Sequence, residues 1–229
     1  MKKNEPYRIL DGTALKIIAM ISMVFDHAGD LLFPGQTWMR FIGRIALPIF
    51  AFCVAEGYIH TRNKTKYLLR LFLFGLISEL PYDLARSGRL EFDQQNIMLT
   101  FALAILTLML FDRITAGNKS VWKLIAGIAA AAVIGILSAF LRMESNFFVI
   151  GLILVFYIFR QRPHWIRILS GFIWHAALRN IGIYLWGLLS FIPLLMYSGE
   201  KGKGLKWFFY VFYPGHLLLL YLIRTIILH

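Results

Sequence analysis

Cysteine is nearly absent from this sequence. Cys53 stands alone, so no intrachain disulfide can form, and its apolar neighbours mark it as a buried thiol. Negative charge is also scarce, with 12 Asp and Glu against 24 Lys and Arg. Charged residues of either sign make up only 16% of the 229 residues, where an average soluble domain carries about 25%. There is no H-E-x-x-H and no pair of cysteines, which removes the usual zinc frameworks, and no metal site is expected. Internal repeats and low-complexity tails are missing too, and no gap between apolar runs has room for a separate soluble domain.

What fills the chain is apolar. Hydrophobic residues reach 59%, mean hydropathy is +0.67, and there are 20 Phe, 10 Tyr and 6 Trp. A soluble fold of this size cannot bury so much apolar surface, whereas a bilayer solvates it directly. Runs of about 20 apolar residues are needed to cross a membrane as helix. Such runs are expected at 14–33, 44–60, 67–84, 97–112, 121–140, 147–160, 165–180, 182–198 and 207–228. The third, sixth and seventh are short or polar. The first, Leu15 to Phe33, is too long for a signal-peptide core and holds Asp26, His27 and Asp30, so it reads as a retained span.

Charge tests this division. The net charge of +12 lies in short gaps between apolar runs, which is the pattern of membrane topology rather than a nucleic-acid-binding face. With every Lys and Arg assigned to its nearest terminus or loop, alternate groups total 17 and 7. Cytoplasmic loops carry the excess of Lys and Arg. The expected fold is therefore all-α: one polytopic bundle over 1–229, with nine spans, the N-terminus inside and the C-terminus outside, in a bacterial plasma membrane.

Ionisable groups inside spans cost roughly 2.5–3.5 kcal/mol each on insertion scales and are functional candidates for that reason. The first span, L-K-I-I-A-M-I-S-M-V-F-D-H-A-G-D, is the richest. His27 lies about 18 Å along the helix from Leu15, at about 1.5 Å per residue. Asp30, three residues on, shares its face. Either Asp30 or, through helix distortion, Asp26 is expected to hold the imidazole in one tautomer, which would let His27 act as a general base. The alternative is a structural His–carboxylate pair.

Further candidates follow the same logic. Arg44 lies where it can neutralise Asp26 or Asp30, and Glu56 and His60 are spaced to meet on one face. These are either catalytic groups or ion pairs that lock helices. Glu79 and Asp83 in S-E-L-P-Y-D, with Gln94, Gln95 and Asn96, either line an outer vestibule for a polar acceptor or cap helices and touch headgroups. His175 and His216 are the other histidines inside spans; His216 follows Pro214 and Gly215, where carbonyls are freed. Trp38, Trp207, Tyr210 and Tyr213 lie near expected span ends and read as interfacial anchors. The basic clusters Arg62, Lys64, Lys66, Arg70 and Lys201, Lys203, Lys206 set topology, and can also attract a polyphosphate donor or anionic membrane lipids.

The motifs L-K-I-I-A-M-I-S-M-V-F-D-H-A-G, R-F-I-G-R-I-A-L-P-I-F-A-F-C-V-A-E-G-Y-I-H, I-S-E-L-P-Y-D, Q-N-I-M-L-T-F and W-F-F-Y-V-F-Y-P-G-H occur in this order from about Leu10 to Ile223. Together they resemble the TraX family, whose name-giving member acetylates the N-terminus of pilin. The opening D-G-x-x-L-K-x-x-A and the histidine eleven residues after Lys16 also resemble the wider membrane acyltransferase superfamily, in which an embedded histidine works on acetyl-CoA.

The resemblance implies an acetyltransferase with acetyl-CoA as co-substrate. His27 would be the catalytic residue, with Asp26 and Asp30 beside it. Arg44, Glu56, Glu79, Asp83, Asn96 and His216 would lie on the acceptor-binding side, with Arg44 or Asn96 as oxyanion donors. Arg62, Lys64, Lys66 and Arg70 would hold the donor's nucleotide. The acceptor would be a peptide such as a pilin N-terminus, a glycan or a lipid. One segment departs from the family: where members often carry D-Y-G, this chain reads M-E-S-N-F-F, with Glu144 as the acid and no glycine. Two other functions fit buried His, Asp and Glu groups by physics alone: a proton-coupled transporter or flippase, and a non-catalytic component of a membrane assembly.

Overall fold

A computed structural model describes residues 6–91, 93–117, 120–179 and 181–227, with residue 227 in backbone only. Two of the expected spans end at Asn180 and Leu228, and Lys2, Lys3 and Lys119 enter the charge tallies; all five lie outside the described residues. The described chain is helical, with two isolated bridges, Leu10 to Tyr197 and Gln95 to Met143, in place of a sheet.

The α-helices are α1 (Gly12–Leu31), α2 (Thr37–Gly43), α3 (Ala46–His60), α4 (Lys64–Ser87), α5 (Ile97–Thr115), α6 (Val121–Phe140), α7 (Asn146–Ile158), α8 (His164–Leu178), α9 (Phe191–Leu195) and α10 (Lys206–Ile227). Local chemistry sets several starts. The Asp11 carboxylate accepts from Ala14 N–H at 2.7 Å, Asn63 Oδ1 from Lys66 N–H at 2.8 Å, and Asn96 Oδ1 from Met98 N–H at 2.9 Å. Gly88, at φ 74°, closes α4 in the left-handed conformation that glycine adopts without strain.

The second expected span begins seven residues earlier than its apolar run, at Thr37, and breaks at Arg44–Ile45. Pro48 explains the break. A proline removes the hydrogen bond to the carbonyl four residues back and clashes with it, and that carbonyl belongs to Arg44. Among the described residues, Thr37–His60, α5, α6 and Lys206–Ile226 are the helices both long and apolar enough to cross a membrane. Helices α1 and α4 have the length but carry more charge. The eighth expected span is a nine-residue 3-10 segment, Gly182–Ser190, followed by the five residues of α9.

Helices α3, α5 and α7 form the centre, with Phe52, Ile105, Leu108, Leu152, Ile153 and Phe156 fully buried. Small residues let α6 approach: Gly127 meets Phe111 and Gly135 meets Phe147. The outward faces stay apolar. Leu69, Phe72, Leu73, Leu76, Ile77 and Leu80 of α4 are exposed, as are Val133, Ile136 and Phe140 of α6. So much exposed apolar surface is what lipid, rather than water, covers. The molecule is a membrane protein in surface as well as in composition.

Candidate active site

At one end of the bundle the starts of α1, α4 and α10 lie together. Gly12 N–H donates to Glu200 O at 2.7 Å, and Thr13 Oγ1 donates to Lys203 O at 2.8 Å. A cavity of about 820 Å³ opens there and runs inward between α1, α3, α4, α5 and α10. Its volume is within the roughly 300–1,000 Å³ usual for ligand sites. Lys16, Arg62, Lys66, Arg70, Lys201 and Lys206 stand in its wall. The Nε of Arg70 is buried with no hydrogen-bond partner, so the wall holds cationic hydrogen-bonding capacity that the protein itself does not use. Deeper in, the lining turns apolar: Leu15, Met20, Met23, Phe50, Met98 and Phe101.

A second chamber, of about 70 Å³, adjoins the deep end. The two share Met23, Phe50, Ile97, Phe101 and Tyr213 as common walls. Beyond this neck the chamber is polar, with Asp26, His27, Arg44, Glu144, His175, Arg179 and Tyr184 around it. Glu144 sits in the loop before α7. Burial pushes its carboxyl up to about 7, the Asp26 carboxylate adds to the rise, and the Arg44 guanidinium opposes it.

His27 is held by another histidine. Its Nδ1 lies 2.8 Å from His216 Nε2, with ring centroids 5.0 Å apart and planes within 11°, so the imidazoles meet edge to edge and nearly coplanar. His216 Nδ1 lies 2.9 Å from Phe212 O. A carbonyl only accepts, so His216 Nδ1 carries the hydrogen and, in a neutral ring, its Nε2 offers a lone pair. His27 Nδ1–H then donates to that lone pair, and His27 Nε2 is left unprotonated. The α10 ring is fixed in turn by Phe212, stacked at 5.0 Å and 10°. His216 is 7% exposed and lines neither cavity; it stands behind His27.

The carboxylates expected beside His27 have other partners. Asp26 pairs with Arg44 and with Arg40 Nε at 3.0 Å. Asp30, 63% exposed at its side chain, pairs with Arg40. The expected Arg44–Asp26 pair is thus present, while the orienting group on the imidazole is His216. The approach of α2 to α1 is tight: a Cβ on Gly43 would fall 2.2 Å from Asp26 Cβ, which is why glycine stands there.

The remaining candidates divide. Glu56 lines the large cavity and accepts from Arg167 Nη1 at 2.5 Å and Tyr197 Oη at 3.0 Å, with His60 Nε2 at 3.4 Å. Arg62, Lys66 and Arg70 face the same cavity, but Lys64 turns away to Asp112 at 2.6 Å and lies over the Tyr58 ring. Glu79, Asp83 and Asn96 line neither cavity. Asn96 gives both its backbone N–H and its side-chain amide to Glu79 and also donates to Gly75 O at 2.8 Å, so it ties α4 to α5. Asp83 accepts from Glu91 N–H at 3.2 Å.

Two residues escaped sequence reasoning. Tyr213 reads as an interfacial anchor, yet it is 5% exposed and forms part of the neck. Arg179, which reads as a loop charge, faces the chamber and lies over the rings of Phe148 and Tyr184 at 4.2 and 4.7 Å. The signal for Tyr213 was its spacing: it lies three residues before His216, on the same helical face.

Residues 11–224 match the TraX protein family. The chain belongs to the TraX family. It is 31% identical over 234 residues to the probable fimbrial assembly protein FimC, serogroup H1, of Dichelobacter nodosus, covering 90% of this chain and 92% of that one. It is 30% identical over 125 residues to Protein TraX of Escherichia coli K12, covering 54% of this chain and 47% of that protein. An uncharacterized protein of Rickettsia prowazekii is 42% identical over 67 residues, 29% of this chain and 25% of that one. No solved structure matches the chain.

Proposed function

We propose that this TraX-family protein is a multi-pass membrane acetyltransferase that moves the acetyl group of acetyl-CoA to an amine or hydroxyl acceptor. By analogy with its relative named for fimbrial assembly, the acceptor is a subunit or glycan of a surface appendage. The observation that carries this reading is the cavity that starts at six basic side chains, turns apolar, and ends one shared wall away from an imidazole with a free Nε2. A nucleotide's phosphates suit the basic mouth, and a pantetheine arm suits the apolar length.

In the reaction, the acceptor nitrogen or oxygen attacks the thioester carbonyl carbon. His27 Nε2 takes the acceptor's proton. His27 Nδ1–H stays on the His216 lone pair, which stabilises the imidazolium as it forms. The C–S bond then breaks, the carbonyl reforms, and the proton on His27 Nε2 passes to the departing thiolate as free CoA.

The same reading places the basic end in the cytoplasm of a bacterium and the N-terminus with it. Contacts at the two ends support nine passes. Asp112 of α5 meets Lys64 and Tyr157 at the basic end, and Arg167 of α8 meets Glu56 there. His175 and Tyr184 meet at the other end, and His164 Nε2 reaches Leu194 O back at the basic one, so Gly182–Leu195 runs the length of the bundle despite its brevity.

The test is acetyl transfer by the purified protein in nanodiscs, using radiolabelled acetyl-CoA and a short peptide with a free N-terminal amine. Label should move to the peptide with wild type and fall at least 100-fold with His27→Ala, within the range of about 10²–10⁴ for general acid–base groups. Undiminished transfer by the mutant would remove His27 from the chemistry.

A further inference from the structure

We infer that the Tyr213 hydroxyl is the hydrogen-bond donor that stabilises the tetrahedral oxyanion formed at the neck between the two cavities. The inference rests on the acetyltransferase reading above and goes beyond it by assigning a residue to a step.

A donor entering from the basic mouth and a base at His27 bring the thioester to the neck. The neck is made by Met23, Phe50, Ile97, Phe101 and Tyr213. Tyr213 is the member of this set with a side-chain hydroxyl. When the acceptor attacks, the carbonyl π electrons move onto oxygen. In an apolar, water-poor neck that charge is costly unless a preorganised donor meets it.

Two donors named for this step by sequence are committed. Arg44 is bound to Asp26, and Asn96 is bound to Glu79 and Gly75 O. The Tyr213 hydroxyl is different. It is buried, and it makes no hydrogen bond of normal geometry. It lies toward Ile97 N–H, a first-turn amide of α5, which is a helix of 19 residues. Such amides have no partner within their own helix, and this one is turned toward Glu144 and the Tyr213 oxygen, which leaves the phenol O–H free to donate. A buried hydroxyl left unpaired lowers stability, and a ligand oxygen that accepts from it relieves the cost. Placement on α10 also ties the donor to the base: Tyr213 and His216 share a face, with ring centroids 5.6 Å apart, and His216 holds His27. As the C–S bond breaks, the oxyanion's electrons return to form the product carbonyl and the Tyr213 O–H keeps its proton.

Tyr213→Phe removes the hydroxyl and keeps the ring. The wild-type protein and the variant are compared for CoA thiol release with the free-amine peptide, and for binding of 13C-carbonyl acetyl-CoA followed by difference infrared spectroscopy. The expected result is a fall in kcat of about 10²–10³, as for loss of one oxyanion donor, with KM for acetyl-CoA within about twofold. The bound carbonyl stretch, shifted down in wild type, should move back toward its solution value in the variant. Wild-type kcat in the variant overturns the inference and leaves the acetyltransferase reading standing. A rise in KM alone, or an unchanged carbonyl stretch with lowered thermal stability, also overturns it, because either describes a packing residue. No acetyl-CoA turnover or binding by wild type overturns both.

Discussion

His216→Phe isolates the imidazole pair. Phenylalanine keeps a ring of similar size on α10, next to Phe212, but loses the Nε2 lone pair that accepts from His27 Nδ1–H at 2.8 Å. Two consequences follow. His27 becomes free to exchange tautomers, and the imidazolium formed in the reaction loses a charge-assisted hydrogen bond. Hydrogen bonds to charged groups contribute about 1.5–3 kcal/mol, and each 1.36 kcal/mol is tenfold in rate, so kcat should fall roughly 10- to 150-fold. Because His216 lines neither cavity, KM for acetyl-CoA should stay within about twofold. His216→Gln returns an acceptor carbonyl near the same place and should recover part of the loss. The assay is CoA thiol release at saturating peptide, with the order wild type, Gln, Phe, then His27→Ala. Equal kcat for the Phe variant and wild type would refute the claim that His216 sets the tautomer of His27.

Further outcomes test the mouth and the chamber. Arg70→Ala should raise KM for acetyl-CoA roughly 10- to 150-fold at low salt and leave kcat near wild type, since Arg70 faces the cavity with Nε unused; Lys64→Ala should leave KM unchanged and lower thermal stability instead, because Lys64 serves Asp112. The Glu144 carboxyl is raised from 4.5 to about 7 in the folded protein, so between these values the native state binds more protons than the unfolded one. Stability should therefore fall as pH rises from about 4.5 to about 7, and Glu144→Gln should flatten that slope in thermal unfolding scans.

Much of this was legible in the chain because the bilayer is an unforgiving solvent. Apolar runs located most helices, and the asymmetry of Lys and Arg distinguished one end of the bundle from the other. His27 stood out because an ionisable group is costly in lipid. Its partner did not, since His216 is 189 residues away and adjacency favoured Asp26 and Asp30. Those carboxylates were taken instead by Arg40 and Arg44, which the Pro48 break and the close approach at Gly43 bring against α1. Glu79, Asp83 and Asn96 read either as a vestibule or as helix caps and headgroup contacts, and capping is what the structure shows for Asn96, which starts α5 and pairs with Glu79, while Asp83 accepts from Glu91 N–H. Lys64 and Lys66, two residues apart, face different partners because neighbours on a helix point about 100° apart per residue. Tyr213 carried an anchor's composition and a core position, and only packing separates the two.

The most direct test is a single-particle structure of the His27→Ala protein in nanodiscs with acetyl-CoA. The account predicts the nucleotide phosphates among Lys66, Arg70 and Lys206, and the thioester at the neck beside Tyr213, facing the position of the missing imidazole. Acetyl-CoA bound elsewhere on the bundle, or a cavity filled by a lipid that acetyl-CoA does not displace, would contradict it.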